Sequence, residues 1–289
     1  MNREAYINSL FRGADQRLNF QSLDTIFPVG RMSASPRPFL FARGEAMTLP
    51  SEYRHDGQRR SIEALLYETE TMALLVLKDG ELVFERYAPW GGPDRRWKSM
   101  SVAKSVISAA LGIAVGERLI ASIEESISSY LPELEGSAYD GVRIKDVLQM
   151  SSGAGWNEDY SDPNSDINRF AEITARGGSF NAFPATLKRA REPGTYNLYN
   201  STDTQVLGML LTRITERPIH AYVQEKLWHP LGMEAEGYWL LDDTGMEMAY
   251  AGLNATARDY LKIGELFRSG GSWEGRQLVP SECRAIAYE

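Results

Sequence analysis

Between Ser101 and Leu119 the chain reads SVAKSVISAALGIAVGERL, apolar almost all the way round a helical wheel. Ile107, Ala109, Leu111, Ile113 and Val115 fall on different sides of it. A helix with no polar face must be enclosed on every side. The rest of the chain therefore has to wrap this segment, and its 43% apolar content supplies enough core to do so. The entrance to the helix is of opposite character. KSMSVAKSV, residues 98–106, packs three serines and two lysines into nine positions. An ammonium at the mouth of a buried helix is unfavourable unless it is paired or used.

The surrounding pattern supplies the wrapping. The first 60 residues are rich in turn formers, and RMSASPRPF and TLPSEYRHDGQ read as surface loops. Ser61–Thr69 has a serine cap and helical spacing. Two β-rich runs flank Asp79-Gly80 between Met72 and Ala88, a strong hairpin signal. Helical patterns follow at VRIKDVLQM, DINRFAEIT, FPATLKRARE, STDTQVLGMLLTRIT and RPIHAYVQEKLW. EGYWLLDDTGMEMAYAGL reads as partly extended, and TARDYLKIGELFRSGG as an amphipathic helix stopped by Gly270-Gly271. Strands early and late with helices between predict an α/β (α+β) class. The expected division is an α/β part from 1–117 and 231–289, its sheet incomplete, around a mostly helical part from 118–230. The two parts make one catalytic domain.

Several functions are disfavoured. A net charge of −8 opposes non-specific nucleic-acid binding. No stretch approaches ~18 apolar residues, and MNREAYINSL lacks the layout of a secretory leader, so a cytoplasmic protein with no membrane partner is expected. The single cysteine, Cys283, allows no intrachain disulfide and reads as incidental. No metal-ligand cluster, Walker loop, G-x-G-x-x-G or G-x-S-x-G is present, so neither a metal nor another cofactor is expected. His55, His220 and His229 read as structural.

A hydrolase built from this inventory has to work without histidine. Ser101 and Lys104 are three apart and share one helix face. A serine hydroxyl is a weak nucleophile that needs a base, and a lysine in apolar surroundings loses proton affinity and can serve. A capping serine beside a snorkelling lysine would fit the same letters. Downstream, PGTYNLYNSTDTQVLGML places Tyr199 and Ser201 where a turn enters a helix. That phenol could pass a proton to a leaving group, or be a packed aromatic beside an N-cap serine. MSSGAGWNEDYSDPNSD, residues 150–166, is a long loop rich in Gly, Ser and Asp.

SMSVAKS, VLQMSSGAGWNEDY, EPGTYNLYNSTDTQVLG, LWHPLGM and GLNATARDYLKIGELF resemble, in order, the serine β-lactamase-related hydrolases. These include class C β-lactamases, penicillin-binding carboxypeptidases, family VIII carboxylesterases and 6-aminohexanoate-dimer hydrolases. The resemblance spans roughly residues 62–275 and implies a β-lactamase-like fold. It implies Ser101 as the acylated nucleophile, Lys104 as its base and Tyr199 as the tyrosine of a Y-x-N motif. Ser201 replaces the asparagine there, as in 6-aminohexanoate-dimer hydrolases, whose E-D-Y-x-D-P-x-S loop is similar to Glu158–Ser165. Tyr160 and Ser201 are thereby substrate-side candidates. The family's third motif, K-T-G or a relative on an edge strand, supplies one oxyanion donor. Arg268-Ser269-Gly270 resembles it in letters only and reads as a helix cap, so C-terminal strands are expected to be missing. The expected activity is hydrolysis of a small-molecule ester or amide through an acyl-enzyme. The alternatives are an impaired, truncated ligand-binding remnant, or a β-lactamase or D-Ala-D-Ala carboxypeptidase.

Overall fold

The computed structural model describes residues 3–9 and 16–280, so Cys283 and the rest of the chain after Pro280 lie outside the described residues. Two short helices, α1 (Arg3–Ser9) and α2 (Gln16–Asn19), precede strand β1 (Val29–Met32). A hairpin of β2 (Glu52–His55) and β3 (Gln58–Ser61) follows. The loops expected over the first 60 residues are corrected here. β2 and β3 carry almost no apolar residue, so no alternation marks them. Only Asp56-Gly57, both at positive φ (50° and 73°), encodes the turn. β1 is fixed by its partners: an added Cβ on Gly30 would lie 2.2 Å from Nδ1 of His220, so this ring and strand approach as only glycine allows.

Helix α3 (Ile62–Glu68) is capped by the Ser61 hydroxyl, which accepts from the Ala64 N–H at 3.2 Å. The expected hairpin is β4 (Ala73–Lys78) and β5 (Glu81–Tyr87), turned by Asp79 and Gly80 at positive φ. Strand β6 (Arg96–Lys98) leads into α4 (Val102–Gly116), the apolar helix. Then come α5 (Ile144–Leu148), α6 (Asp166–Arg176), α7 (Ser201–Thr215) and α8 (Ile219–Val223), which runs on into a π-helical turn, Gln224–Trp228. Strands β7 (Gly237–Leu240) and β8 (Leu253–Thr256) and helix α9 (Ala257–Arg268) complete the parts that matter here.

FPATLKRARE does not form the expected α-helix. After one short turn at Pro184–Thr186 it extends along the loop before it. Gly155 N–H donates to Lys188 O (2.8 Å) and Ala190 N–H to Gly153 O (2.8 Å), so loop pairing replaces the helical ladder.

Four strands form an antiparallel sheet in the order β1-β7-β8-β6, while β4-β5 stands as a separate two-stranded sheet. Helix α4 is enclosed as its composition demands. Ala103, Ile107, Ala110 and Leu111 are buried, and α4 packs against α7, whose residues Ser201–Leu211 are all buried. Each large apolar side chain buried here stabilises the fold by ~1.5–3 kcal/mol, which fixes the mouth of α4 in place. The fold is a mixed α/β arrangement, with the sheet edge β6 delivering the chain to the helix entrance.

Candidate active site

Ser101 lies at a strand–turn–helix junction. β6 stays in register with β8 to Lys98↔Asn254, and Ser99 N–H still donates to Leu253 O (2.7 Å). Met100 then adopts φ 46°, a left-handed conformation that is strained for a side chain with a Cβ. The turn leaves Ser101 exposed at the N-cap of α4, where its hydroxyl makes no capping bond. Instead Oγ accepts from Nζ of Lys104 at 3.1 Å and from the phenol of Tyr199 at 2.7 Å. Lys104 does not snorkel to solvent. Its ammonium also donates to Tyr250 O (3.1 Å) and lies 5.0 Å from the ring centroid of Tyr199 and 5.7 Å from that of Tyr250. The three residues singled out by spacing thus meet at one oxygen.

Tyr199 is held by the start of α7. The cap is Asn200, not Ser201: Oδ1 of Asn200 accepts from the N–H groups of Thr202 (2.8 Å) and Asp203 (3.3 Å), and its Nδ2 donates to Asp203 (2.9 Å). Leu198 N–H donates to Met150 O, joining this turn to the loop at 150. Oδ1 of buried Asp203 also receives the Tyr139 phenol and the Ser152 hydroxyl, both at 2.8 Å, while its Oδ2 has no partner among the described residues. Burial pushes the Asp203 carboxyl up to about 7, against the pull of the two hydroxyl donors. Folded Asp203 therefore keeps its proton to higher pH than the unfolded chain, whose value is ~3.9. Its contribution to stability is full at low pH and is lost as pH rises through about 7. Asp203→Asn should match the parent near pH 4 and exceed it increasingly towards pH 8, by up to roughly 4 kcal/mol. Thermal unfolding at the two pH values checks this, and a variant destabilised equally at both would contradict it.

The loop from 150 to 166 brings a residue that the sequence patterns did not single out. The Glu158 carboxylate accepts from Nε1 of Trp156, from the Tyr160 phenol (3.0 Å), and from Ser201 through both its hydroxyl (2.6 Å) and its N–H (3.1 Å). Ser201, expected on the substrate side, is 1% exposed with its hydroxyl committed to Glu158, so in this structure it anchors the loop. Tyr160 is 62% exposed, its phenol held by Glu158. The signal for Glu158 was present in the E-D-Y sequence, but a lone carboxylate in a loop does not reveal that four donors will converge on it.

Other candidates fall elsewhere. His220 pairs with Glu247 (2.7 Å), and His229 lies 3.2 Å from the Ser33 hydroxyl. Ser269 is the C-cap of α9, so Arg268-Ser269-Gly270 ends a helix. Among the described residues, no group of three or more His, Cys, Asp or Glu is placed to hold a metal ion, and no helix is long and apolar enough to cross a membrane. An open groove of about 900 Å³ runs beside Lys104, lined by Lys98, Val102, Leu148, Asn197 and Phe267 among others.

Comparison with known proteins identifies the family and the fold. The beta-lactamase family model matches residues 59–283. The chain is 33% identical over 225 residues to the 6-aminohexanoate-dimer hydrolase of Paenarthrobacter ureafaciens, a match covering 75% of this chain and 57% of that protein. It therefore spans little more than half the length of that relative. A structure from Bacillus anthracis, provisionally named a 6-aminohexanoate-dimer hydrolase, superposes with TM-score 0.86 at 23% identity, over 98% of this chain and 76% of the other. A class C beta-lactamase in complex with cefoxitin shares the fold more distantly, with TM-score 0.56 at 18% identity over 78% of this chain and 66% of its own. A family model that takes in most of the sequence makes this chain a member of the beta-lactamase family.

Proposed function

We propose that the chain is a serine acyl hydrolase acting on small esters or linear amides, with Ser101 as nucleophile, Lys104 as general base and Tyr199 as proton relay. The observation that carries this reading is the convergence of Lys104 Nζ and the Tyr199 phenol on one serine oxygen. A neutral amine at that distance can take the hydroxyl proton as Oγ attacks the substrate carbonyl. The tetrahedral oxyanion would meet the Ser101 N–H, which has no acceptor among the described residues and stands at the positive end of α4. As the C–O or C–N bond breaks, the proton passes through Tyr199 to the departing alkoxide or amine. Water then attacks the acyl ester, giving up a proton along the same path, and the acid leaves with Ser101 restored.

The name of the Paenarthrobacter relative points to linear amides. Side-by-side assays of a short p-nitrophenyl ester, the 6-aminohexanoate dimer and nitrocefin test the substrate class. The ester should turn over fastest and nitrocefin slowest. Nitrocefin turnover above both others would overturn the choice of substrate in favour of a β-lactamase.

A further inference from the structure

The two oxygens of the Asp203 carboxyl have unequal surroundings. Oδ1 accepts from the Tyr139 phenol (2.8 Å), the Ser152 hydroxyl (2.8 Å) and Nδ2 of Asn200 (2.9 Å). Oδ2 is buried and meets no donor among the described residues. A carboxylate would strand part of its charge there, and a buried charge without a partner is strongly unfavourable. A carboxylic acid fits the asymmetry better. Its carbonyl oxygen takes the three donors, and its hydroxyl, which carries no charge, lies on the side that has none.

The neighbouring groups do not offset a charge on Asp203. Burial is the largest cause that raises its pKa, and the Glu158 carboxylate raises it further. Burial also holds the Tyr139 phenol well above its ordinary value, so it stays a donor. The charged groups on the helices packed against α7 have partners of their own. Lys104 on α4 bonds Ser101 and Tyr250 O. On α5, Asp146 pairs with Arg143 and Lys145 lies 3.8 Å from Glu124. His220 on α8 pairs with Glu247, and Arg213 of α7 itself with Glu133.

This one oxygen ties down both supports of Tyr199. Asn200, the cap of α7, follows Tyr199 directly. Ser152 ends the segment along which the Tyr199 turn is laid. Gly194 N–H donates to Ser151 O (2.8 Å), Leu198 N–H to Met150 O (2.8 Å) and Asn197 Nδ2 to Gln149 O (2.7 Å). Cap and segment meet at Oδ1 of Asp203, behind the phenol that reaches Ser101.

We propose that Asp203 is a positioning residue that holds Tyr199 against Ser101 only while its carboxyl is neutral, so that ionisation loosens both supports and lowers activity on the alkaline side. It rests on the reading of Tyr199 as proton relay. The sign follows from the burial. The neutral acid prevails below about pH 7. Above it the anion prevails, and opening the network to water at Oδ2 then relieves the stranded charge.

Asp203→Asn tests this, because the amide keeps an acceptor at Oδ1 and cannot ionise. Ester kcat is measured for parent and variant from ~pH 6 to ~pH 8.5. In the ratio of variant to parent the titration of Lys104 cancels, and the ratio should rise about 10-fold across this range. A merely structural Asp203 would scale both profiles alike, and such a flat ratio would overturn the proposal. Hydrogen exchange, corrected for its intrinsic pH dependence, reads the same change without turnover. In the parent, amides 198–203 should lose at least ~10-fold protection over the same range, and in the variant they should not. Protection in the parent that does not change with pH would also overturn it, whatever the variant does. A chain that hydrolyses no ester would sink the catalytic reading, and exchange alone would then decide whether Asp203 governs this turn.

Discussion

Ser101→Ala is expected to lower ester hydrolysis by at least ~10⁴-fold, the scale on which removal of a nucleophile acts when the remaining groups work only with it. The side chain is exposed, caps no backbone N–H and, among the described residues, bonds only to Lys104 and Tyr199, so its loss should leave the thermal midpoint within a degree or two. The combination is informative. A variant that folds and has lost its activity places the chemistry at this oxygen, whereas one that keeps more than about a tenth of the parent rate would move the nucleophile elsewhere. Activity should be compared at saturating and limiting ester. A fall in kcat with KM unchanged is the signature of a group that reacts and does not merely bind.

Lys104→Ala is expected to cost about 10²–10⁴-fold in kcat, the range of a positioned general base. The more discriminating variant is Lys104→Arg. Arginine keeps the positive charge beside Ser101 but is not deprotonated in proteins, so it cannot accept the serine proton. If Lys104 acts as a base, arginine should not restore activity. If it acts only through its charge, arginine should recover most of the rate. Lys104→Ala loses the bond to Tyr250 O, which at ~1.5–3 kcal/mol for a charged donor is too small to explain a thousandfold effect on rate. Thermal unfolding of each variant separates any such loss of stability from the catalytic loss.

The parts of this account that sequence made legible share one property: they depend on residues close together in the chain. The apolar run behind Ser101 announced α4, and the i, i+3 spacing put Lys104 on the face of Ser101. Asp79-Gly80 announced the β4-β5 turn because apolar runs flank it, while Asp56-Gly57 went unread because polar runs flank it. Short strands were hidden for a different reason. β1 and β6 are four and three residues long and owe their form to β7 and β8, some 200 and 150 residues away. The supporting layer of the site was invisible for the same cause. Glu158 is defined by donors at 156, 160 and 201, and Asp203 by donors at 139, 152 and 200. Tyr199 was legible as a candidate only beside the Ser101 motif, yet its 2.7 Å approach to Ser101 depends on Asn200 capping α7, a task that residue type alone would equally have given to Ser201.

The central claim, that Ser101 is acylated with Lys104 as its base, is tested most directly by exposing the protein to a fluorophosphonate and mapping the adduct by peptide mass spectrometry. One adduct per chain should appear on Ser101, vanish in Ser101→Ala and form far more slowly in Lys104→Ala. A protein that hydrolyses esters while Ser101 stays unmodified, or that is labelled at another serine, would contradict it.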